Sequence, residues 1–183
     1  MKKITLITFL LACVFTTSAQ VLLTEDASSL TVGNIGTELT GVVPGQGGWL
    51  TRIPAAGLNS DFQVVNQGGT YGNVIQITGS STGANSRFMS KSIADNWTNR
   101  DLGNDILEVE FNLYSGPASA SANTIRVVVY NSDFTQMLSG IMLNMGTKVL
   151  SGLAYYDNTA ATGGTIGNYA FRLLTTGGAT PSY

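Results

Sequence analysis

The amino-acid sequence predicts an all-β protein, built as a two-sheet antiparallel sandwich. After residue 19, short apolar runs alternate with turn signals such as Gly-Gly pairs and Ser/Thr/Asn clusters, and no stretch keeps a helical period between caps. The chain has 22 Gly and only 11% charged residues. Its surface must therefore be largely uncharged and polar, which is typical of a β-protein with many tight turns.

The clearest strand is predicted at residues 107–113 (LEVEFNL). Its apolar residues alternate with polar ones, so the strand has a buried face formed by Leu107, Val109, Phe111 and Leu113 and a wet face formed by Glu108, Glu110 and Asn112.

Other strands are predicted on both sides of this segment, and their spacing favours a sandwich or jelly roll over a βαβ fold. The stronger ones are residues 124–130, 136–143, 148–156 and 169–174, with a hairpin turn at 144–147. The weaker ones are residues 21–24, 48–53, 62–66 and 73–78, and residues 92–104 have room for one short helical turn.

The first 19 residues have the three parts of a secretory signal peptide. Lys2 and Lys3 give a positive start, residues 4–15 an apolar run, and residues 16–19 small side chains ending at Ala19. The apolar run is shorter than the roughly 20 residues that span a bilayer, so cleavage and release without a membrane span are expected. One alternative stays open: residues 10–13 (LLAC) resemble a lipobox, which would make Cys13 a lipidated N-terminus.

Cleavage after Ala19 would leave 164 residues, the length of one domain, with seven basic and eleven acidic residues. A net charge of −4 without a basic patch argues against nucleic-acid binding. The remaining chain has no Cys, and there is no His anywhere, so Ser-His and Cys-His catalysis in their usual form are excluded. No Gly pair is followed by the Lys-Ser/Thr of a Walker phosphate loop.

Several segments resemble secreted proteins of Bacteroidota that carry an N-terminal concanavalin A-like jelly-roll domain, many of them exported by the type IX route. They are residues 18–20 (SAQ), 22–33 (LLTEDASSLTVG), 44–49 (PGQGGW), 86–89 (SRFM) and 97–111, from WTNR to ILEVEF. The resemblance spans essentially all of residues 20–183 and implies a glycan-facing or adhesive module at the cell surface or outside it.

Two departures from that family matter. Ala27 stands where such openings commonly have Phe, which would loosen a first strand. The family's later strands and its C-terminal sorting domain are not in this sequence, so the domain at residues 20–183 is expected to be a C-terminally incomplete jelly roll.

One pair of residues has the arrangement of a catalytic site. Glu108 and Glu110 would share a strand face with backbones about 7 Å apart, and paired carboxylates serve glycosidases as acid and as nucleophile or base. The pattern resembles the Glu-x-Asp-x-Glu strand of some jelly-roll glucan hydrolases, but Asn112 follows and no third carboxylate shares that face. The alternative is the solvated face of an amphipathic strand.

Aromatic and acidic residues supply the remaining candidate sites. Trp49, Trp97, Tyr155 and Tyr156 could stack on sugar rings, although the two Trp are equally typical of core positions. Glu25, Asp26 and Asp157 could contribute oxygen ligands to calcium, which needs six or more.

These patterns predict a secreted, non-enzymatic module that binds extracellular polysaccharide or a cell-surface component, or acts in adhesion. Two alternatives remain open. One is a glycoside hydrolase or lyase that uses Glu108 and Glu110, and the other is a structural subunit that self-associates through exposed strand edges.

Overall fold

A computed structural model describes residues 20–80, 86–117, 120–157 and 168–174, with the backbone alone for residues 154–157 and 168–169. The predicted signal peptide and lipobox lie outside these ranges. The described residues form nine strands and one α-helix: β1 (Gly33–Asn34), β2 (Leu50–Arg52), β3 (Phe62–Gly68), β4 (Gly72–Ile77), β5 (Phe88–Ser90), α1 (Ala94–Thr98), β6 (Thr124–Tyr130), β7 (Met137–Asn144), β8 (Leu150–Asp157) and β9 (Asn168–Leu173).

The strands form three antiparallel sheets, with the orders β1-β3-β4, β2-β5 and β6-β7-β8-β9. Within the described ranges, helix is limited to α1 and two short 3-10 turns, Gln46–Gly48 and Asn59–Asp61. The all-β prediction is confirmed at this level.

The first sheet is organised around β3, which alternates a buried and a more exposed side. Phe62 and Val64 are fully buried, while Gln63 and Val65 on the opposite face are only partly covered. The β3–β4 hairpin closes at Gly68 opposite Gly72, where a bulge occurs and both glycines take positive φ.

The third sheet is a meander of four consecutive strands. Asn144 shapes its β7–β8 turn, because its Oδ1 accepts the backbone N–H groups of Gly146 and Thr147 at 3.0 and 2.9 Å. An Asn side chain that hydrogen-bonds the backbone two residues on is a standard turn former. The hairpin predicted at residues 144–147 is thus confirmed.

The main hydrophobic core lies between the N-terminal loops, β2 and β3. Its buried members are Ala27, Leu30, Ile35, Ile53, Phe62 and Val64, and Leu39, Trp49, Ile75 and Met89 pack against them. Each fully buried large side chain contributes about 1.5–3 kcal/mol to stability. In the third sheet, Met137 and Leu143 of β7 are buried.

Most predicted elements are present, within about two residues of the predicted bounds, and two predictions are wrong. The strands predicted at 124–130, 136–143, 148–156, 169–174, 48–53, 62–66 and 73–78 correspond to β6, β7, β8, β9, β2, β3 and β4, and α1 lies within residues 92–104. Residues 21–24 and 107–113 form no strand. Ala27 lies in a turn, buried and with φ of 59°, rather than after a first strand.

Candidate functional site

The stretch from residue 104 to residue 116, called the unpaired segment below, combines an extended course with exposed apolar side chains. It runs without a turn or bend, and positive φ occurs only at its borders, at Gly103 and Gly116. No backbone hydrogen bond joins residues 106–114 to any other residue that the structure describes. A segment with the sequence of a strand therefore lies outside every sheet.

Two cations hold the unpaired segment at its ends. At the start, Arg100 donates Nε to the carbonyl of Asn104 at 2.8 Å and Nη2 to Oδ1 of Asp105 at 2.6 Å. At the other end, Lys148 donates Nζ to the carbonyl of Ser115 at 2.7 Å. Hydrogen bonds to charged donors are stronger than neutral ones, so both ends are fixed while the middle is free.

Most of the apolar face predicted for this segment is exposed: Val109, Phe111 and Leu113 are 49%, 41% and 41% exposed, and Leu107 is partly covered. Ile106 and Tyr114, at the alternate positions on the side of Glu108 and Glu110, are 91% and 88% exposed. Single exposed apolar residues are ordinary, but a row of them along one segment marks an interaction surface.

Glu108 and Glu110 lie on this segment and are exposed. The strand predicted at residues 107–113 is absent. The predicted arrangement, in which both carboxylates lie on one face of a sheet, is therefore wrong. No third carboxylate joins them within the part of the chain that the structure covers.

Trp49 belongs to the edge of the core and is held by polar neighbours. Its Nε1 donates to Oε2 of Glu25 at 3.1 Å, and Lys91 Nζ lies 5.7 Å from the ring centroid and 3.5 Å from the same Glu25 oxygen. The other Glu25 oxygen, Oε1, accepts the N–H of Ala27 at 2.9 Å. These contacts tie the N-terminal loop to the residues next to β2 and β5.

Trp97 lies on α1 with the Arg100 guanidinium 4.1 Å from its ring centroid. Arg100 also donates Nη1 to the Trp97 carbonyl at 2.9 Å. Trp97 thus helps to orient Arg100, and Arg100 in turn holds the start of the unpaired segment. Trp49 packs against the main core, whereas Trp97 contacts Arg100.

The remaining predicted ligand-binding residues lie in the third sheet. Tyr155 and Tyr156 pair with Ala170 and Tyr169 between β8 and β9, and Asp157 pairs with Asn168. Side-chain positions for Tyr155, Tyr156 and Asp157 are outside the described part of the structure.

The calcium ligands predicted near the N-terminus are engaged in local hydrogen bonds. Asp26 accepts from the hydroxyl and N–H of Ser28, which lowers the pKa of its carboxyl below the ordinary range. The Glu25 carboxylate binds Trp49 and Lys91, as described above. Among the residues described, no group of three acidic side chains converges on one point.

Sequence reasoning missed Arg100 and Lys148, the two anchors of the unpaired segment. Both act on backbone carbonyls, and such contacts leave no residue pattern in the sequence. One signal was available for Arg100: a basic residue just after a short helix commonly hydrogen-bonds the last carbonyls of that helix.

Comparisons with protein-family models, with curated proteins and with solved structures gave no significant match to this chain. Over the residues that the structure covers, no helix has the length and apolar character needed to cross a membrane.

Proposed function

We propose that this chain is a non-enzymatic adhesion module that works outside the cell and binds a cell-surface component. The row of exposed apolar side chains on the unpaired segment is the observation that carries this proposal. A signal peptide at residues 1–19 would bring the module to that location.

The proposed domain is a two-sheet jelly roll of concanavalin A-like type, related to the exported proteins that the sequence resembles. Antiparallel strand pairing with very little helix among the described residues agrees with an all-β domain, and the arrangement of the strands in two sheets is part of the proposal.

Glycoside hydrolysis through Glu108 and Glu110 is a weaker reading of the site. A glycosidase places its acid in an enclosed or apolar setting, where the group keeps its proton until it acts. Both Glu side chains are exposed on a segment without sheet support. The arrangement can attract cations or basic side chains, but among the residues that the structure describes both carboxylates stay open to solvent.

Polysaccharide recognition is the second candidate, and exposed Tyr rings favour it. Tyr71 and Tyr114 present most of their surface to solvent, and an aromatic face can pack on the apolar face of a sugar ring. The two Trp are less suited, because each has a cation near its ring. Calcium, with Asp157 among its ligands, would belong to this candidate.

The test is binding of fluorescent protein to intact cells of the producing organism, treated first with proteinase K or with periodate. Adhesion to a surface protein predicts that proteinase K abolishes binding and that periodate leaves it unchanged. Loss of binding after periodate alone, or on addition of EDTA, would support polysaccharide recognition instead. Absence of binding to untreated cells would overturn both candidates.

A matched pair of double variants locates the surface. Ile106→Ser with Tyr114→Ser should reduce binding at least tenfold, since both side chains are exposed and their loss costs the fold little. Val42→Ser with Leu58→Ser removes two exposed apolar side chains elsewhere and should leave binding unchanged. Equal losses in both variants would contradict a site on the unpaired segment.

A further inference from the structure

We propose that the unpaired segment is a strand-addition site, which binds an extended polypeptide with apolar residues on one face and Lys or Arg on the other. This inference rests on the proposed adhesive function and names the chemistry of its partner.

The backbone of the segment is ready for pairing. Between residues 106 and 114 the N–H and C=O groups bond to nothing else that the structure describes, and every φ is negative. An unpaired row of such groups is a template for another strand, and many recognition domains bind peptides by adding a strand to an open edge.

The anchors at Asn104, Asp105 and Ser115 reduce the cost of that binding. Because Arg100 and Lys148 already hold the two ends, binding does not have to offset the conformational entropy that would be lost in straightening the segment. Restricting a binding element to its bound form raises affinity for this reason.

The side chains specify the partner. Apolar residues at 107, 109, 111 and 113 alternate with Glu108, Glu110 and Asn112. In a paired sheet, residues opposite one another on the same face interact, so apolar residues favour apolar ones and carboxylates favour cations. A partner strand with basic residues at every second position would satisfy both faces.

A second copy of this chain is a poorer occupant than a basic strand. The antiparallel self-pairing that overlaps the apolar face in full sets Leu107 opposite Leu113 and Glu110 opposite Glu110 of the other copy. Parallel in-register pairing places both Glu108 and Glu110 beside their own copies. Like charges in facing positions destabilise a sheet.

The test uses labelled peptides as long as residues 106–114, with valine alternating either with lysine or with glutamate. Fluorescence anisotropy with the purified chain should show binding of the lysine peptide and at least tenfold weaker binding of the glutamate peptide. A lysine peptide with a fully N-methylated backbone keeps its side chains but loses its N–H donors, and it should not bind. Amide hydrogen exchange within residues 106–114 should slow when the lysine peptide is bound.

A charge-reversed variant tests the assignment to the segment. Glu108→Lys with Glu110→Lys should exchange the peptide preference, so that the glutamate peptide binds about tenfold more tightly than the lysine peptide. Asp95→Lys with Asp101→Lys makes the same change in net charge at two exposed positions outside the segment and should keep the original preference.

Three results would overturn the inference: tight binding of the N-methylated peptide, an unchanged preference in the charge-reversed variant, or dimers of the chain that protect residues 106–114 without peptide. Its failure is separable from failure of the adhesive function. Protease-sensitive binding to cells together with no peptide binding would remove strand addition alone.

Discussion

Arg87 donates two hydrogen bonds to a single carboxylate oxygen of Asp61, from Nε at 3.0 Å and from Nη2 at 2.8 Å. Asp61 directly precedes β3 and Arg87 directly precedes β5, so the contact joins two separate sheets. The same Asp61 oxygen accepts the N–H of Leu58 at 3.2 Å. With side chains only 10% and 15% exposed, this pair is shielded from water and from salt.

Replacing Arg87 with Met should lower the free energy of unfolding by about 3 kcal/mol, because it leaves the shielded Asp61 carboxylate without its cation. Urea unfolding measures the loss. The double variant Arg87→Met with Asp61→Leu should recover part of it, since both charges are then gone. A loss below about 0.5 kcal/mol in the single variant would show that the pair contributes as little as a surface one.

Glu38 should titrate far below an ordinary glutamate. Its carboxylate accepts from the hydroxyl of Thr40 and then from the backbone N–H groups of Thr40, Val43 and Val42, which lowers its pKa from 4.5 to about 2. NMR of the side-chain carboxyl measures that pKa directly. Thr40→Val should raise it towards 4.5, and an unchanged value would contradict the leading role of the hydroxyl.

The same lowered pKa has a consequence for stability. A carboxyl whose folded pKa is below its unfolded pKa stabilises the protein fully above the unfolded value, and this is lost as the pH falls through the folded value. The difference in unfolding free energy between wild type and Glu38→Gln should therefore be constant above pH 4.5 and shrink from there towards pH 2. A difference that stays constant down to pH 2 would refute the linkage.

Phe62 and Phe88 are the first residues of β3 and β5, and they differ in burial. Phe62 is fully buried in the main core, while Phe88 is about half exposed. Phe62→Ala should cost about 3–5 kcal/mol of unfolding free energy, since it leaves a cavity, and Phe88→Ala should cost much less. Chemical denaturation of the two variants makes the comparison, and equal losses would contradict the position of the core.

Gly45 has no room for a side chain. A Cβ there would lie 2.0 Å from the carbonyl oxygen of Ile35, which accepts the N–H of Gln46. Gly45→Ala should therefore cost about 2 kcal/mol or more, since the backbone itself must move. Gly68→Ala is the control: its Cβ meets open space, and its φ of 67° alone costs about 1 kcal/mol. The thermal midpoint of Gly45→Ala should therefore lie below that of Gly68→Ala.

Glu25 should stabilise the loop that precedes β1 through its bonds to Trp49 and Ala27. Glu25→Ala should lower the unfolding free energy by about 1–3 kcal/mol, because it leaves both N–H groups without their acceptor. Glu25→Gln keeps an acceptor oxygen and should lose less. Thermal unfolding followed by fluorescence in a Trp97→Phe background isolates the signal of Trp49, and equal losses in the two variants would contradict the hydrogen-bond role.

Hairpins were the part of the fold that residue patterns predicted best. Thr124–Tyr130 was predicted with the bounds of β6, because its β-branched run pairs with the next segment along the chain. β1 and β5 were not recognised in the sequence. They have two and three residues, and their partners β3 and β2 lie far away in the chain, so tertiary pairing rather than local pattern creates them.

The sequence showed which residue types occupy the candidate site, but it did not predict the structural role that they take. Alternation at residues 107–113 predicted a strand with a buried apolar face and a wet face, but alternation needs a partner backbone to become a strand. None of the described strands provides it, and residues of both faces are exposed. Trp49 and Trp97 were predicted with two possible roles. Trp49 contacts Lys91, which is distant in the sequence, and the contact of Trp97 with Arg100 depends on the local backbone conformation. Residue patterns along the sequence reveal neither contact.

Because Arg100 and Lys148 hold the unpaired segment at both ends, they also affect how readily proteases cleave it. A protease binds its substrate as an extended strand, and exposed backbone without hydrogen bonds is where proteins are nicked first. With Phe111 and Tyr114 presented on such a backbone, the unpaired segment offers ready cleavage sites for a chymotrypsin-like enzyme. Occupation by a partner strand would close them, so the lifetime of the chain in a protease-rich setting would depend on whether its partner is bound.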